Sequence, residues 1–201
     1  AVAWLAGYSF FGSNWFAAGR VDGTLIRDGE WWRTITALTL HSGVRHLLGN
    51  LVFGVFFGIF AGRLLGSGVA WLAVLLGAAL GNTANTLLLD STHRSIGAST
   101  AVFATLGILA GYVWRGQLMA QDRWSTRYGP IIGGLALLMF TGTGDENTEI
   151  GAHLLGFVCG FATGMLLTVI GKMPAPPQIQ KAAGGIALGL VAISWLIALQ
   201  V

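Results

Sequence analysis

The stretch "IGAHLLGFVCGFATGMLLTVIG", residues 150–171, decides the fold because it contains no Asp, Glu, Lys or Arg. A helix needs about 20 apolar residues to cross a bilayer, so this run is long enough to span a membrane. Gly156, Gly160 and Gly164 recur every four residues and share one helix face. Small residues at this spacing let membrane helices approach closely. The stretch therefore predicts a transmembrane helix that packs tightly against another helix.

The rest of the chain has the composition of a membrane protein. Of its 201 residues, 54% are hydrophobic and 9% are charged, with a mean hydropathy of +0.71. Soluble domains carry about 25% charged residues. Further apolar runs occupy residues 46–60, 69–89, 95–114 and 182–199, with a shorter one at 129–140.

Residues 1–12, "AVAWLAGYSFFG", are apolar but too short to cross a bilayer. They predict the tail of a truncated first span, which makes seven spans in all. No alternating β-barrel pattern is present, so the predicted fold class is all-α, a polytopic transmembrane helical bundle. Residues 12–45 form a long first loop, and the proline-bearing stretch "KMPAPPQIQK" (172–181) is a linker before the last span.

Charge and cysteine content exclude several classes of function. The net charge of +3 comes from few, scattered basic residues, so no nucleic-acid partner is expected. The single cysteine, Cys159, provides neither a disulfide framework nor a cysteine metal site. No metal and no other cofactor is predicted.

Lys and Arg are distributed almost evenly over the two sides of the predicted bundle. Loops 61–68, 115–128 and 171–181 carry six of them, against five on the opposite side. Because Lys and Arg favour the cytoplasmic side, this small excess predicts that the first loop, the end near Ser99 and the acidic stretch "GDENTE" (144–149) face outside the cytoplasm.

Ser99 lies near the N-terminus of a predicted transmembrane helix, and it follows two small residues, Gly97 and Ala98. At a helix N-terminus the unpaired amides and the positive end of the dipole stabilise developing negative charge. Ser99 is therefore either a helix cap or a nucleophile whose own amide helps to bind an oxyanion.

His153 lies three residues before Gly156 and shares the glycine face of its helix. The helix that begins at Ser99 has its own small pair, Gly107 and Gly111. If these two faces pack together, the imidazole can serve the hydroxyl as general base and then as general acid. The alternative is a hydrogen-bonded core histidine.

His46 and Asn50 lie four residues apart, on one face of the second span. Two donors on one face could hold an oxyanion together with the Ser99 amide. The alternative is interhelical hydrogen bonding, which is also the expected role of Asn82 and Asn85. A metal site is not expected, because Asn is a poor ligand and no carboxylate lies at helical spacing.

The first-loop stretch "GEWWRTITALTLH" (29–41) pairs Trp31 and Trp32 with Arg33. Interfacial tryptophans anchor at headgroup depth, so the loop is expected to lie in the outer leaflet. Arg33 is expected to bond backbone carbonyls or a lipid phosphate. His41, which ends the stretch, is expected to brace the loop.

The chain resembles the rhomboid family of intramembrane serine proteases from about Gly29 to Gly171. The resemblance rests on four motifs in order, "EWWR" (30–33), "HSGVRHLLGN" (41–50), "GAST" (97–100) and "GAHLLGFVCG" (151–160). An ordered set of this kind is far more specific than any one of its members.

The resemblance implies that Ser99 is the nucleophile and His153 its general base. It implies an oxyanion hole built from His46, Asn50 and the Ser99 amide. The residues with expected structural roles are Trp32, Arg33, Gly97, Gly156 and Gly160. It also implies a six-helix catalytic core within residues 1–171, joined by the linker 172–181 to an additional C-terminal helix in 182–201.

The implied function is cleavage of transmembrane segments of membrane proteins by a Ser–His dyad, since no carboxylate is placed to complete a triad. The expected partners are such substrates and the lipid bilayer. The expected location is the bacterial inner membrane, with the active site open to the extracytoplasmic side. The alternative is a rhomboid-like pseudoprotease that binds transmembrane clients without cleaving them.

Three positions depart from the family pattern. Thr100 stands where a glycine usually follows the nucleophile, and its β-branched side chain is expected to narrow the site. Phe103 replaces a tyrosine that stacks on the histidine. Gly62 stands about where a glutamate is common.

Overall fold

The computed structural model describes residues 9–10, 13–88, 93–118, 128–129, 131–134, 136 and 150–200. Its first part consists of short elements. Strand β1 (Ser9–Phe10) pairs antiparallel with β2 (Ser13–Asn14), and β3 (Val21–Asp22) pairs antiparallel with β4 (Arg94–Ser95). The first loop also contains α1 (Trp15–Gly19), α2 (Gly23–Arg27), α3 (Arg33–Thr36) and a 3-10 turn (Ala37–Thr39).

Long helices form the bundle, and the prediction of an all-α membrane fold is confirmed. They are α4 (Val44–Leu65), α5 (Ser67–Leu88), α6 (Ser99–Leu118), α7 (Ile150–Ile170) and α8 (Pro177–Ala198). Within the described ranges, all of these except α6 are long and apolar enough to cross a membrane. The α6 side chains from Val102 to Leu106 are buried against the other helices. This enclosure shields the polar residues of α6 from lipid.

Helices α4 and α8 extend furthest beyond the predicted runs. Helix α4 covers Val44–Leu65 rather than 46–60, because Arg45 and Arg63 lie near its ends and do not interrupt it. Helix α8 begins at Pro177, inside the predicted linker 172–181. Proline is favoured at the first position of a helix, where its missing N–H has no intrahelical partner in any case. The second half of the predicted linker is therefore helical.

Three predictions fall wholly or partly on residues outside the described ranges. Of the predicted first span (1–12), only residues 9–10 are described, and they form strand β1. Of the short apolar run 129–140, residues 131–134 are helical. The acidic stretch 144–149 lies outside the described residues.

The backbones of α6 and α7 touch along a row of glycines, which we call the glycine seam. A Cβ on any glycine of the seam would overlap the backbone of the other helix; its members are Gly107, Gly111, Gly156, Gly160 and Gly164. The contacts of α7 advance by four residues at a time, from Thr100 to Ala104 to Ile108 on α6. The two helices therefore run parallel. Their close contact is the one that the small-residue spacing predicts.

Helix α5 packs on the other side of the same glycines. A Cβ on Gly81 would lie 2.7 Å from the Cα of Gly156, and one on Gly77 would lie 3.5 Å from the Cα of Gly160. Helix α7 is thus held between α5 and α6 with almost no side chain in between.

Arg33 holds the first loop together. Its Nε lies 2.6 Å from Oε2 of Glu30, and its Nη1 donates to the carbonyls of Ala17 (2.7 Å) and Arg20 (3.2 Å). Arg33 is only 5% exposed. Of the two partners predicted for this side chain, backbone carbonyls and a lipid phosphate, the structure shows the carbonyls.

The glycine seam predicts opposite effects for two Gly→Ala substitutions in membrane helices. At Gly160 the new methyl group overlaps the Ala104 backbone, and overpacking of this kind costs about 1–3 kcal/mol. At Gly58 of α4 nothing lies within 4 Å of a new Cβ, so Gly58→Ala should leave stability unchanged or raise it by about 0.5–1 kcal/mol. Denaturant unfolding of the purified proteins in detergent micelles measures both. Equal stability of the two variants would contradict the close contact between α6 and α7.

Candidate active site

Ser99 is the first residue of α6, as predicted. The chain turns into this helix at Gly97, which has a φ of +133°, a conformation that residues with a side chain rarely adopt. A Cβ at Gly97 would also lie 2.7 Å from Nε2 of His46. Position 97 therefore requires glycine for two independent reasons, one of backbone conformation and one of space. The Gly97 amide donates to the carbonyl of Ala37 (3.0 Å), which ties the turn to the first loop.

His153 lies in the first turn of α7 and is 6% exposed. Its ring stacks on Phe103, with ring centroids 4.6 Å apart and an angle of 26° between the planes. Phe103 follows Ser99 by four residues and so shares its face of α6. The stacking predicted for Phe103 is present, and the glycine seam brings the ends of α6 and α7 that carry Ser99 and His153 together.

The His153 ring makes few hydrogen bonds to the described residues. Its Nδ1 is buried and has no hydrogen-bond partner among the described residues. No hydrogen bond joins Ser99 to His153 in the part of the chain that the structure describes. Catalytic hydrogen bonds are often long without substrate and tighten when it binds, so this geometry is compatible with a nucleophile and its base.

His46 and Asn50 lie one turn apart on α4, and both reach the Ser99 region. His46 packs against Gly97, and its Nδ1 lies 3.1 Å from the Ser42 hydroxyl. Asn50 lines a cavity of about 450 Å³ together with Ala98, the residue before Ser99. The Nδ2 of Asn50 is buried without a partner in the described residues. The structure thus places His46 against the turn before Ser99, and Asn50 in a cavity that Ala98 also lines.

A second, smaller cavity of about 10 Å³ adjoins Ser99 directly. This is about the room that one water molecule requires. Its lining includes the polar residues Asn82, Ser95, Ser99 and Thr100, and also Ala152, the neighbour of His153. The sequence predicts only interhelical hydrogen bonding for Asn82. Its Nδ2 does donate to the carbonyl of Thr34 (2.9 Å), but Asn82 also lines this cavity.

Thr100 does not face an open substrate cleft. It is 5% exposed, and its methyl and carbonyl groups pack against Gly156 of α7. The β-branched side chain therefore fills the contact between α6 and α7 and one wall of the small cavity.

His41, which is expected to brace the first loop, is buried. It is 8% exposed, and neither ring nitrogen makes a regular hydrogen bond within the described residues. Its ring lies edge-on to His46, with centroids 5.2 Å apart. Burial, with the added effect of His46, lowers the pKa of His41 to about 4 against a weak opposing contact with the Thr39 carbonyl. His41 is therefore neutral near pH 7, and it braces the loop by packing rather than by hydrogen bonds.

The remaining structural predictions concern the first loop. Trp31 is 46% exposed, whereas Trp32 is half-buried directly before Arg33.

Across the described residues, no three His, Cys, Asp or Glu side chains come together as metal ligands would.

Comparison with known proteins identifies the family. Residues 28–170 match the Rhomboid domain. Rhomboid-like protease 1 of Toxoplasma gondii is 31% identical over 177 residues, which cover 84% of this chain and 58% of that protein. Rhomboid-like protease 2 of the same organism is 34% identical over 147 residues, which cover 71% of this chain and 50% of that protein.

Rhomboid protease GluP of Bacillus subtilis (strain 168) is 31% identical over 145 residues, which cover 72% of this chain and 28% of that protein. The chain thus spans at most 58% of the length of these three relatives.

The Rhomboid match contains all four motifs and the long helices α4 to α7. Together with the apolar helices, the match identifies an integral, multi-pass membrane protein, and the three relatives compared above are named as proteases. The chain belongs to the rhomboid family.

Proposed function

We propose that this chain is an intramembrane serine endopeptidase in which Ser99 is the nucleophile and His153 the general base. The observation that carries the proposal is the convergence of three helices on one end of the bundle. Ser99 begins α6, His153 stacks on the Phe103 ring of the same helix, and His46 of α4 packs against the turn before Ser99. A hydroxyl, an imidazole and additional donors in one place are the groups that acyl transfer requires.

The proposed reaction proceeds through an acyl-enzyme. The Ser99 hydroxyl oxygen attacks the carbonyl carbon of a peptide bond, and its proton passes to His153. The tetrahedral intermediate collapses as His153 returns the proton to the leaving amine. Water then hydrolyses the ester with the same base. We propose a dyad, because no carboxylate in the sequence is placed to complete a triad.

His46 is proposed to donate to the oxyanion. The Ser42 hydroxyl lies 3.1 Å from Nδ1 of His46, and Nε2 faces Gly97 on the side of Ser99. If the Ser42 hydroxyl donates to Nδ1, the ring carries its hydrogen on Nε2, where it can be donated to substrate. Asn50, with an unpartnered Nδ2 one turn away, and the Ser99 amide complete the proposed oxyanion hole.

The proposed substrates are transmembrane segments of other membrane proteins. Ser99 lies at the beginning of α6 and not in the middle of the bundle, so a substrate helix would have to unwind near one membrane face to present its carbonyl. We propose that this face is extracytoplasmic in a bacterial inner membrane and that residues 1–171 form the catalytic domain. Ser99 and His153 are both present, which argues against the alternative of a pseudoprotease that binds clients without cleaving them.

Replacing Ser99 by Ala should abolish cleavage of a transmembrane substrate, with a loss of at least about a thousandfold, because the nucleophile is removed. A fluorophosphonate probe should label the wild-type protein and spare this variant. Ser67→Ala is the matched control, since Ser67 begins α5 and lies outside the proposed machinery. Cleavage that survives in the Ser99 variant contradicts the mechanism, and failure of the wild type to cleave or label favours the pseudoprotease.

The His46→Ala and Asn50→Ala variants should each lower kcat by about 10²-fold with little change in KM, because the oxyanion forms only after attack. Ser42→Ala should have a smaller effect in the same direction, since it only frees the His46 ring to rotate. Steady-state kinetics on one fluorogenic transmembrane substrate separate the two parameters. A raised KM with an unchanged kcat would instead assign these residues to substrate binding.

A further inference from the structure

Helix α8 is hydrogen-bonded to the rest of the protein at both of its ends. Near its beginning, Gln180 accepts from the Val69 amide (3.0 Å) and donates to the carbonyl of Leu65 (2.9 Å), which joins the end of α4 to the start of α5. Near its end, the Trp195 indole N–H donates to the hydroxyl of Thr39 (3.1 Å). These contacts attach both ends of α8 to the rest of the protein.

The face of α8 between these two ends is made of small residues. Its buried members are Ala183, Ala187, Ser194 and Ala198. Small side chains allow α8 to lie close to α5 and to the first loop. Trp195 is a large side chain on this part of α8, and it packs against the first loop. Its ring lies 5.0 Å from that of Trp15, and a Cβ on Gly19 would meet it.

The Trp195 hydrogen bond reaches the 3-10 turn Ala37–Thr39, which leads directly to His41. The same Thr39 hydroxyl donates to the carbonyl of Thr36 (2.8 Å), so it holds the turn closed while it accepts from Trp195. At the start of the turn, the Ala37 carbonyl accepts from the Gly97 amide (3.0 Å). These hydrogen bonds, together with the backbone of the turn itself, connect α8 to Gly97, where the chain turns into α6 before Ser99.

Gly97 connects the 3-10 turn to the groups around Ser99, because its amide and its Cα face different neighbours. Its amide is held by Ala37, and its Cα lies against the His46 ring, close to the Ser99 hydroxyl. A shift of the 3-10 turn would therefore move the Ser99 amide relative to His46. Misplacement of catalytic groups by about 1 Å can cost about 10²-fold in rate.

We propose that Trp195 is a positioning residue, through which α8 holds the 3-10 turn and thereby sets the geometry of the oxyanion donors around Ser99. This inference rests on the proposed function. It assigns a role in the reaction to a helix that lies outside the matched Rhomboid domain, residues 28–170.

The test compares the two ends of α8 in the full-length chain. Trp195→Phe keeps the aromatic packing and removes the donor, and Thr39→Val keeps the shape and removes the acceptor. Each should lower kcat by about tenfold or more with KM unchanged. The double variant should lose no more than Thr39→Val alone, because both substitutions break the Trp195–Thr39 hydrogen bond and only Thr39→Val also removes the contact with the Thr36 carbonyl. Thr39→Ser retains the hydroxyl and should keep the wild-type kcat.

Gln180→Leu is the matched control at the opposite end of α8. It should lower the midpoint of denaturant unfolding at least as much as Trp195→Phe while leaving kcat unchanged, because it breaks three hydrogen bonds at the end of α8 opposite to Trp195. If kcat follows the unfolding midpoint in all variants alike, α8 contributes stability only and the positioning role is wrong. That outcome is distinct from failure of the proposed function, which would appear as cleavage that persists in Ser99→Ala.

Discussion

The direct contact of the α6 and α7 backbones along the glycine seam is the constraint on which the rest of the structure depends. In a membrane, lipid tails are as apolar as leucine, so helices gain little from burying apolar side chains against one another. Close approach through glycine replaces this driving force with dense packing. The seam also sets the register of the two helices, because Gly156, Gly160 and Gly164 each lie on a backbone carbonyl of α6.

This register determines which polar groups meet. Gly156 lies level with Thr100, so His153, one turn earlier on α7, lies at the level where α6 begins. A slip of one residue along the seam would place side chains against backbone and move His153 away from Phe103 and Ser99. The candidate active site is therefore a consequence of packing, and its polar groups lie at the ends of helices whose middles are apolar.

Much of this arrangement could be predicted from the sequence, because the deciding signals are local. Glycines four residues apart indicate the packing faces, and the uncharged runs indicate the helices. For Arg33 the sequence predicts bonds either to backbone carbonyls or to a lipid phosphate, and the structure shows bonds to carbonyls. The end of α4 predicted at residue 60 is too early, because the apolar run stops before Arg63 whereas the helix continues to Leu65.

Other features depend on contacts between residues far apart in the chain, for which the sequence has no signal. Trp195 lies in an apolar run and looks like any tryptophan at a membrane interface, yet its partner Thr39 is 156 residues away. The unpartnered nitrogens of His41 follow from burial by the first loop and α4, which spacing along the chain does not reveal. The orientation of Thr100 towards Gly156 likewise follows from the tertiary packing of α7.

The central claim is that Ser99, His153 and the His46–Asn50 face act on one reacting carbonyl. A crystal structure of the protein after reaction with a peptidyl phosphonate tests it most directly. The account predicts phosphorus bonded to the Ser99 hydroxyl oxygen, with one phosphonyl oxygen within hydrogen-bonding distance of the Ser99 amide, His46 and Asn50. A phosphonate bonded to another residue, or an adduct at Ser99 whose oxygen faces away from His46 and Asn50, would contradict it.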